Sequence, residues 1–284
     1  MDGGGKVIDV IQDVEQLVER SEEEEIIERL KESSGGRGEF YYDGHFGGTP
    51  AALYRDEQFV PDYDADLTAQ VSWLRPHEFT ASPEYFVDGT SSGDVVQGRL
   101  GDCWIMGSLA AVANHPDQLI ENLFGSDPDD FKKYGVYTCR FYKDGAWVEV
   151  VTDTRIPCAP GGSGSGAEMI GLRSASTPSP MYGRTRDLGE QWVMLLEKAY
   201  AKAHGSYEAL HGGSVAEALV DFTGGSSEKI VLTEPPVQAS VKNGKLWKKL
   251  RRYASWRYLM GCSHSEADAG AEDEMPNGLF KNHC

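Results

Sequence analysis

The strongest constraint on the fold is a cysteine placed where an apolar helix begins. Gly98 and Gly101 favour a turn, Asp102 can cap a helix, and Cys103 then falls in the first helical turn. A thiol there faces backbone N–H groups without intrahelical partners and the positive end of the helix dipole, which favour the thiolate. Gln97 lies close enough upstream for its amide to donate to an oxyanion. The pattern therefore predicts a cysteine nucleophile beside an oxyanion donor.

The helix that follows Cys103 should anchor the thiol in a core. Its apolar residues are Trp104, Ile105, Leu109, Ala110, Ala111 and Ala113. We expect it to end near Asn114, because Pro116 follows and disfavours a helical backbone just before it. The alternative is that Cys103 is an inert packing residue, since cysteines are among the most buried residue types.

Composition limits the class of protein. The 284 residues allow one large or two modest domains. A net charge of -18 argues against a nucleic-acid partner and leaves divalent cations plausible. The five cysteines are scattered without a CxxC pair, so neither a disulfide framework nor a zinc ribbon is expected and a reducing compartment is favoured. No signal peptide or membrane-length apolar run is recognised, so we expect a cytoplasmic protein.

Hydrophobic periodicity predicts the main elements. They are helices within 7–18, 22–30, 103–113, 190–204 and 242–259, a hairpin at 135–142 and 146–152, a flexible link at 33–38, and an irregular, extended wrap over 41–84. The N-terminal helix could bind a partner or rest on its own domain. The basic run 242–259 could touch acidic lipid or pack on its own domain.

Two other motifs are weak. His77 and Glu78 suggest a zinc protease, but Ala81 stands where HExxH requires histidine. The glycine-rich run 161–166 lacks the GKS or GKT of a phosphate loop, so a flexible insertion is favoured.

Several motifs together resemble one family. The run QGRLGDCW at 97–104 is similar to the active-site segment of the calpains, papain-like cysteine proteases activated by calcium. The segments EKAYAK at 197–202, YEALHGGS at 207–214 and DFTGG at 221–225 are also similar to calpain segments and occur in order. The resemblance covers roughly residues 70 to 284.

The resemblance implies an α+β, papain-like cysteine protease fold. It would have a complete, mainly helical first lobe and an incomplete, β-rich second lobe. The expected division is an N-terminal helical segment and link at 1–38, a first protease subdomain at 39–225 and the start of a second at 226–284.

A thiol protease also needs an imidazole base. Spacing alone cannot choose among the seven histidines, because the base is adjacent in space rather than in sequence. The run GLFKNH, ending at His283, resembles the calpain segment that carries the catalytic histidine, although Asn282 replaces a glycine. In calpains the orienting asparagine lies downstream of this point, so we expect little peptidase activity from this chain alone.

The resemblance also implies a calcium site. By position its ligands would be Val87, Gly89, Asp94 and Glu190; the EF-hand pattern is absent. The implied activity is calcium-dependent limited proteolysis of protein substrates. The alternative is a non-catalytic, calcium-binding or regulatory fragment that acts by protein interaction.

Overall fold

The computed structural model describes residues 20–33, 39–56, 60–61, 71–160, 178–264 and 274–284. The helices within these ranges are α1 (Glu22–Ser33), α2 (Pro50–Leu53), α3 (Pro76–Phe79), α4 (Cys103–Ala113), α5 (Pro128–Tyr134), α6 (Trp192–His204), α7 (Val215–Thr223), α8 (Pro235–Lys242) and α9 (Lys245–Ser255). The strands are β1 (Ser72–Leu74), β2 (Val95–Val96), β3 (Val136–Lys143), β4 (Ala146–Asp153), β5 (Ile156–Ala159), β6 (Ser179–Pro180) and β7 (Arg184–Thr185).

The strands form small antiparallel sheets beside the helices. Their orders are β1-β5-β6, β2-β7 and β3-β4. This mixture of elements confirms the α+β class, while the division into two lobes stays a prediction. Among the described residues, no helix combines the length and apolar character needed to cross a membrane.

The core is built on α6 and α4. Trp192 and Leu195 of α6 are fully buried, as are Ile105, Leu109 and Val112 on α4. The α6 helix contacts β3, β4, β5 and β7, whereas α4 packs on α7. The apolar helix predicted after Cys103 is therefore confirmed, and it anchors the thiol-bearing end against the core.

The predicted hairpin is also confirmed. Strands β3 and β4 pair from Val136 opposite Asp153 to Lys143 opposite Ala146. Asp144 and Gly145 form the turn with φ angles of 52° and 87°. Both angles lie in the left-handed region that two-residue hairpin turns require, which explains the Asp-Gly signal.

Helix α1 rests on its own chain. Ile26 and Ile27 pack against Tyr134, Val136 and Val151. This agrees with the prediction that the helix at 22–30 rests on its own domain. The predicted helix at 7–18, most of the link at 33–38 and the glycine-rich run 161–166 lie outside the described residues.

The prediction of an extended wrap over 41–84 is wrong for several described residues. Phe46, Leu53, Tyr54 and Phe79 are buried in the main core. Proline begins both α2 and α3, and these short helices turn their apolar residues inward. Such irregular packing has no sequence period, so the pattern gave no sign of it.

The C-terminal region also differs from expectation. In the described part of residues 226–284, where the resemblance implied the start of a β-rich lobe, no strand is formed, and His264 makes an isolated bridge with His283. The helix predicted within 242–259 is confirmed as α9, and Gly244, with a left-handed φ of 75°, separates it from α8, which ends at Lys242. No residue of α9 is buried.

Candidate active site

The loop before Cys103 is fixed against residues 181–183. Gly98 lies so close to Tyr182 that a Cβ atom at position 98 would be 2.2 Å from the Tyr182 carbonyl oxygen. The Arg99 backbone N–H donates to the Met181 carbonyl at 3.0 Å. A side chain at position 98 would therefore push the loop away from its support.

A second brace comes from residues 210–213. The Gly212 N–H donates to the Gly101 carbonyl at 2.8 Å, and the Trp104 indole Nε1–H donates to the Leu210 carbonyl at 2.9 Å. Gly213 faces the same indole, and a Cβ atom there would be 2.2 Å from Trp104 Cε2. The residues on both sides of Cys103 are thus held by the YEALHGGS segment at 207–214.

Cys103 is the first residue of α4 and is 8% exposed. Its Sγ atom lies 3.7 Å from Sγ of Cys284. The thiol is therefore at the helix N-terminus, as predicted, and contacts a residue 181 positions away in the sequence. Since a helix start presents unsatisfied N–H groups, this position suits a nucleophilic thiolate.

The capping role predicted for the Asp102 side chain is wrong. Asp102 occupies the N-cap position, but with a φ of -109° and a ψ of 28° its carboxylate makes no capping bond. It hydrogen-bonds the carboxyl of Glu197 on α6, and both groups are buried. Burial, then the charge of Asp102, raises the pKa of Glu197 well above its ordinary value. Burial and the neighbouring Asp102 carboxyl therefore favour the protonated form of Glu197 behind the cysteine loop.

Glu197 links this pair to the first brace. Its Oε1 atom accepts a hydrogen bond from the Gly183 N–H at 2.9 Å. Sequence reasoning missed Glu197, although a charged residue inside a strongly apolar stretch of helix is a usable signal. It also missed Cys284, whose position next to His283 was the available clue.

Gln97 is half-buried and closes the turn before Cys103. Its Nε2 atom donates to the Leu100 carbonyl at 2.9 Å. The amide is thus held in the loop that carries the thiol. Its role as an oxyanion donor stays a prediction.

His283 lies in the segment that reaches the thiol. The His264 N–H donates to the His283 carbonyl at 3.0 Å, and the imidazole lies edge to face with Phe280 at 5.9 Å. The next residue, Cys284, makes the contact with Cys103. The fold therefore brings the His283 segment beside the start of α4, while the role of His283 as base stays a prediction.

Two predicted calcium ligands meet at the start of α6. Glu190 is 3% exposed, and its Oε1 atom accepts a hydrogen bond from the Val87 N–H at 3.0 Å. Burial raises the pKa of Glu190 to about 7, and the charges of Asp94 and Asp187 add to this effect. A divalent cation would relieve the repulsion between these carboxylates.

The rest of the loop is compatible with an oxygen-rich site. Asp88 and Gly89 have left-handed φ angles of 58° and 90°, which bend the chain sharply after Val87. Asp94 Oδ2 accepts from the Ser91 N–H at 2.7 Å and Oδ1 accepts from Ser91 Oγ at 2.9 Å. Two carboxylates and two backbone carbonyls are hard oxygen donors of the kind that calcium prefers, so the chemistry of the four predicted residues fits the ion.

A cluster of one histidine and two carboxylates on α6 and α7 is less suited to a metal. The ligand atoms of His204, Glu217 and Asp221 lie within 4.8 Å of one another. The Lys143 ammonium contacts Asp221 and lies 3.1 Å from His204 Nε2. Since a lysine already supplies positive charge there, the cluster is an ion-pair network.

Comparison with known proteins identifies the family. Residues 41–284 match the calpain family cysteine proteases, so the chain belongs to that family. It is 37% identical over 214 residues to Calpain-A of Drosophila melanogaster, which covers 75% of this chain and 23% of the relative. It is 39% identical over 242 residues to Calpain clp-1 of Caenorhabditis elegans, an alignment that covers 82% of this chain and 27% of the relative. It is 34% identical over 258 residues to Calpain-8 of Homo sapiens, with 90% of this chain and 33% of the relative covered. The chain thus spans a third or less of the length of these relatives.

Proposed function

We propose that this chain contributes to a calcium-dependent cysteine endopeptidase that performs limited proteolysis of cytoplasmic proteins. Cys103 is the nucleophile, His283 the general base and Gln97 the oxyanion donor. The observation that carries the proposal is the braced helix start at Cys103 with the His283 segment beside it. Membership of the calpain family supports the same chemistry. The five cysteines, all reduced in the structure, are compatible with a cytoplasmic location.

The proposed reaction follows thiol-protease chemistry. The imidazole of His283 takes the Cys103 thiol proton, and the thiolate attacks the scissile carbonyl carbon. The Gln97 amide and the N–H groups at the start of α4 stabilise the oxyanion. Imidazolium protonates the leaving amine as the thioester forms, and water then hydrolyses that thioester with the same imidazole as base.

Val87, Gly89, Asp94 and Glu190 would hold calcium in this scheme. Bound calcium would supply positive charge that neutralises the two carboxylates. Asp94 immediately precedes β2, which leads to Gln97, and Glu190 precedes α6. These residues therefore connect the ion site to the two elements that support the cysteine loop.

Selective labelling of Cys103 tests the catalytic proposal. We expect iodoacetamide to alkylate Cys103 of the reduced, native chain faster than the exposed Cys262, because an activated thiolate outreacts an ordinary accessible thiol. Peptide mapping by mass spectrometry assigns the modified residue. Slower alkylation of Cys103 than of Cys262 would contradict the proposed nucleophile.

Peptidase turnover by the 284-residue chain alone should be low. His283 is joined to His264 by an isolated bridge rather than by a continuous strand ladder, so no sheet fixes the backbone that carries it in the described residues. A fluorogenic peptide assay with excess calcium, using Cys103→Ala as the blank, measures this. Robust turnover that Cys103→Ala abolishes would show that the His283 segment is better ordered than we propose.

Calorimetry tests the calcium site. Asp94→Asn should weaken calcium binding at least tenfold, because it removes one of two carboxylates. Asp88→Asn is the matched control: Asp88 lies in the same loop, and asparagine tolerates its left-handed φ of 58°. Equal affinities for the two variants would place any calcium site elsewhere.

The second candidate is a non-catalytic, calcium-binding or regulatory fragment that acts by protein interaction. The low exposure of Cys103 and its contact with Cys284 favour this alternative. Calcium binding that depends on Asp94, combined with a Cys103 that iodoacetamide does not alkylate, would support it over the peptidase.

Helix α9 is a proposed contact for an anionic membrane surface. It carries Lys245, Lys248, Lys249, Arg251 and Arg252, and Trp247 is 65% exposed. Basic side chains beside an exposed indole suit a negatively charged lipid surface. The chain should sediment with phosphatidylserine vesicles and not with phosphatidylcholine vesicles. Lys248→Glu should weaken this binding more than Lys229→Glu, an exposed control outside α9; equal effects would contradict the proposed contact.

A further inference from the structure

Two thiols meet at the start of α4. Cys103 Sγ and Cys284 Sγ are 3.7 Å apart, although 181 positions separate the residues in the sequence. A disulfide requires about 2.05 Å between the sulfur atoms. The remaining gap is less than 2 Å, which rotation of the two side chains about their Cα–Cβ bonds can close.

Cys284 lies along the surface of the helix rather than beyond its end. A Cβ atom at Gly107 would be 3.9 Å from Cβ of Cys284. Cys284 therefore sits between positions 103 and 107, which are one helical turn apart on the same face. This placement directs its thiol to the Cys103 side of α4.

The segment that carries Cys284 has freedom to adjust. Within residues 274–284 the isolated bridge Glu274–Phe280 folds the segment on itself, and the isolated bridge His264–His283 joins it to an earlier residue. Cys284 itself is only partly buried, whereas the loop on the Cys103 side is braced. Closure would therefore move Cys284 toward a thiol that stays in place.

We infer that Cys103 and Cys284 form an intramolecular disulfide when the chain meets hydrogen peroxide, which makes Cys103 a reversible oxidation site. The Cys103 thiolate attacks peroxide, forming a sulfenic acid and releasing hydroxide. The Cys284 thiolate then attacks the sulfenic sulfur, the S–O bond breaks and a second hydroxide leaves. Two thiols lose two electrons, one peroxide gains them, and with the thiol protons two water molecules are produced.

The other cysteines differ from this pair. Cys139 and Cys158 have no exposed surface, and burial raises the pKa of Cys139 well above its ordinary value. Cys262 is exposed. Peroxide should therefore link Cys103 to Cys284 in preference to either buried thiol, and Cys262 serves as the exposed control.

Peptide mapping of the peroxide-treated chain tests the bond. We expect a Cys103–Cys284 linked peptide, lighter by two hydrogen atoms than the sum of its parts, that dithiothreitol separates. Iodoacetamide labelling of Cys103 should fall at least tenfold on oxidation and return after dithiothreitol.

Two serine variants provide matched controls. Cys262→Ser should behave as the unmodified chain. Cys284→Ser should lose dithiothreitol-recoverable labelling, because without a partner thiol the sulfenic acid proceeds to irreversible acids. If treated chains yield no Cys103–Cys284 peptide, or if Cys284→Ser recovers as well as the unmodified chain, the inference is wrong.

The bond and the peptidase are tested separately. The disulfide is read from the linked peptide, whereas its effect on proteolysis rests on the proposed function. If Cys103 of the reduced chain reacts with iodoacetamide more slowly than Cys262 while the linked peptide forms, the peptidase proposal fails and the disulfide stands. If Cys103 reacts fast and no linked peptide forms, the disulfide fails and the peptidase proposal stands.

Discussion

Adding one methyl group at two glycines near Cys103 should have opposite effects. At Gly98, a Cβ atom would lie 2.2 Å, 2.3 Å and 2.4 Å from the oxygen, carbonyl carbon and Cα of Tyr182. All three are backbone atoms, and their neighbours are held by the Arg99–Met181 and Gly183–Glu197 hydrogen bonds. At Gly107, an exposed position inside α4, a Cβ atom meets nothing closer than Cys284 Cβ at 3.9 Å.

The expected free energies follow from these distances. An overpacked site typically costs about 1–3 kcal/mol, and contact with fixed backbone places Gly98→Ala near ~3 kcal/mol. Gly107→Ala should stabilise the chain by about 1 kcal/mol, because alanine favours a helix interior over glycine. The two substitutions should therefore differ by about 4 kcal/mol in the free energy of unfolding.

Urea unfolding followed by tryptophan fluorescence measures both variants. Iodoacetamide labelling of Cys103 provides a local reading, and Gly98→Ala should slow it by displacing the loop that presents the thiol. Gly107→Ala should leave this rate within about twofold, since it adds to an exposed helix surface. The reasoning is refuted if Gly98→Ala unfolds within about 0.5 kcal/mol of the unmodified chain.

Three further predictions concern buried polar groups. Lys198 has no exposed side-chain surface and donates to Asp153 Oδ1 at 2.6 Å and to the carbonyls of Asp153 and Arg155 at 2.7 Å and 2.8 Å. Lys198→Met should lower the free energy of unfolding in urea by about 3 kcal/mol, the lower end for a broken buried ion pair, because Arg155 stays bonded to Asp153. Lys132→Met, which breaks an exposed ion pair, should lower it by less than about 1 kcal/mol. Equal losses for the two variants would contradict this account. Trp104→Phe removes the bond to the buried Leu210 carbonyl and should cost about 1–2 kcal/mol in the same assay, and no loss would show that this brace is dispensable. Burial raises the pKa of the Glu23 carboxyl in the folded state, so the folded chain holds a proton that the unfolded chain releases. The stability that the protonated carboxyl contributes is present at low pH and is lost as the pH rises above about 4.5. Glu23→Gln should therefore gain stability relative to the unmodified chain between pH 4.5 and pH 7 in urea titrations, and a constant difference would refute the buried-carboxyl account.

Local signals predicted the parts of the structure that depend on local physics. The turn glycines and the apolar run placed Cys103 at the start of α4. The Asp-Gly pair placed the β3–β4 turn, because left-handed backbone angles are needed there. Such features are decided within a few residues of sequence.

Contacts between distant segments were the part that the pattern could not supply. Asp102 has a side chain suited to helix capping, but its carboxyl hydrogen-bonds Glu197 of α6 instead. Phe46 and Tyr54 fill the core from an aperiodic stretch. Cys284 reaches Cys103 only because the fold returns the chain to α4. Each of these outcomes depends on tertiary packing, which overrides local preference.

The hydrogen bond between Trp104 and Leu210 joins residues far apart in the sequence, which affects when the cysteine loop can assemble during synthesis. The Leu210 carbonyl that receives the indole N–H lies 106 residues after Trp104. At ribosomal rates of about 5–20 residues per second, the nascent chain spends roughly 5 to 20 s with Cys103 already translated and this anchor still missing. The loop that carries Cys103 would therefore stay without this anchor on the ribosome until the polypeptide has grown well past it.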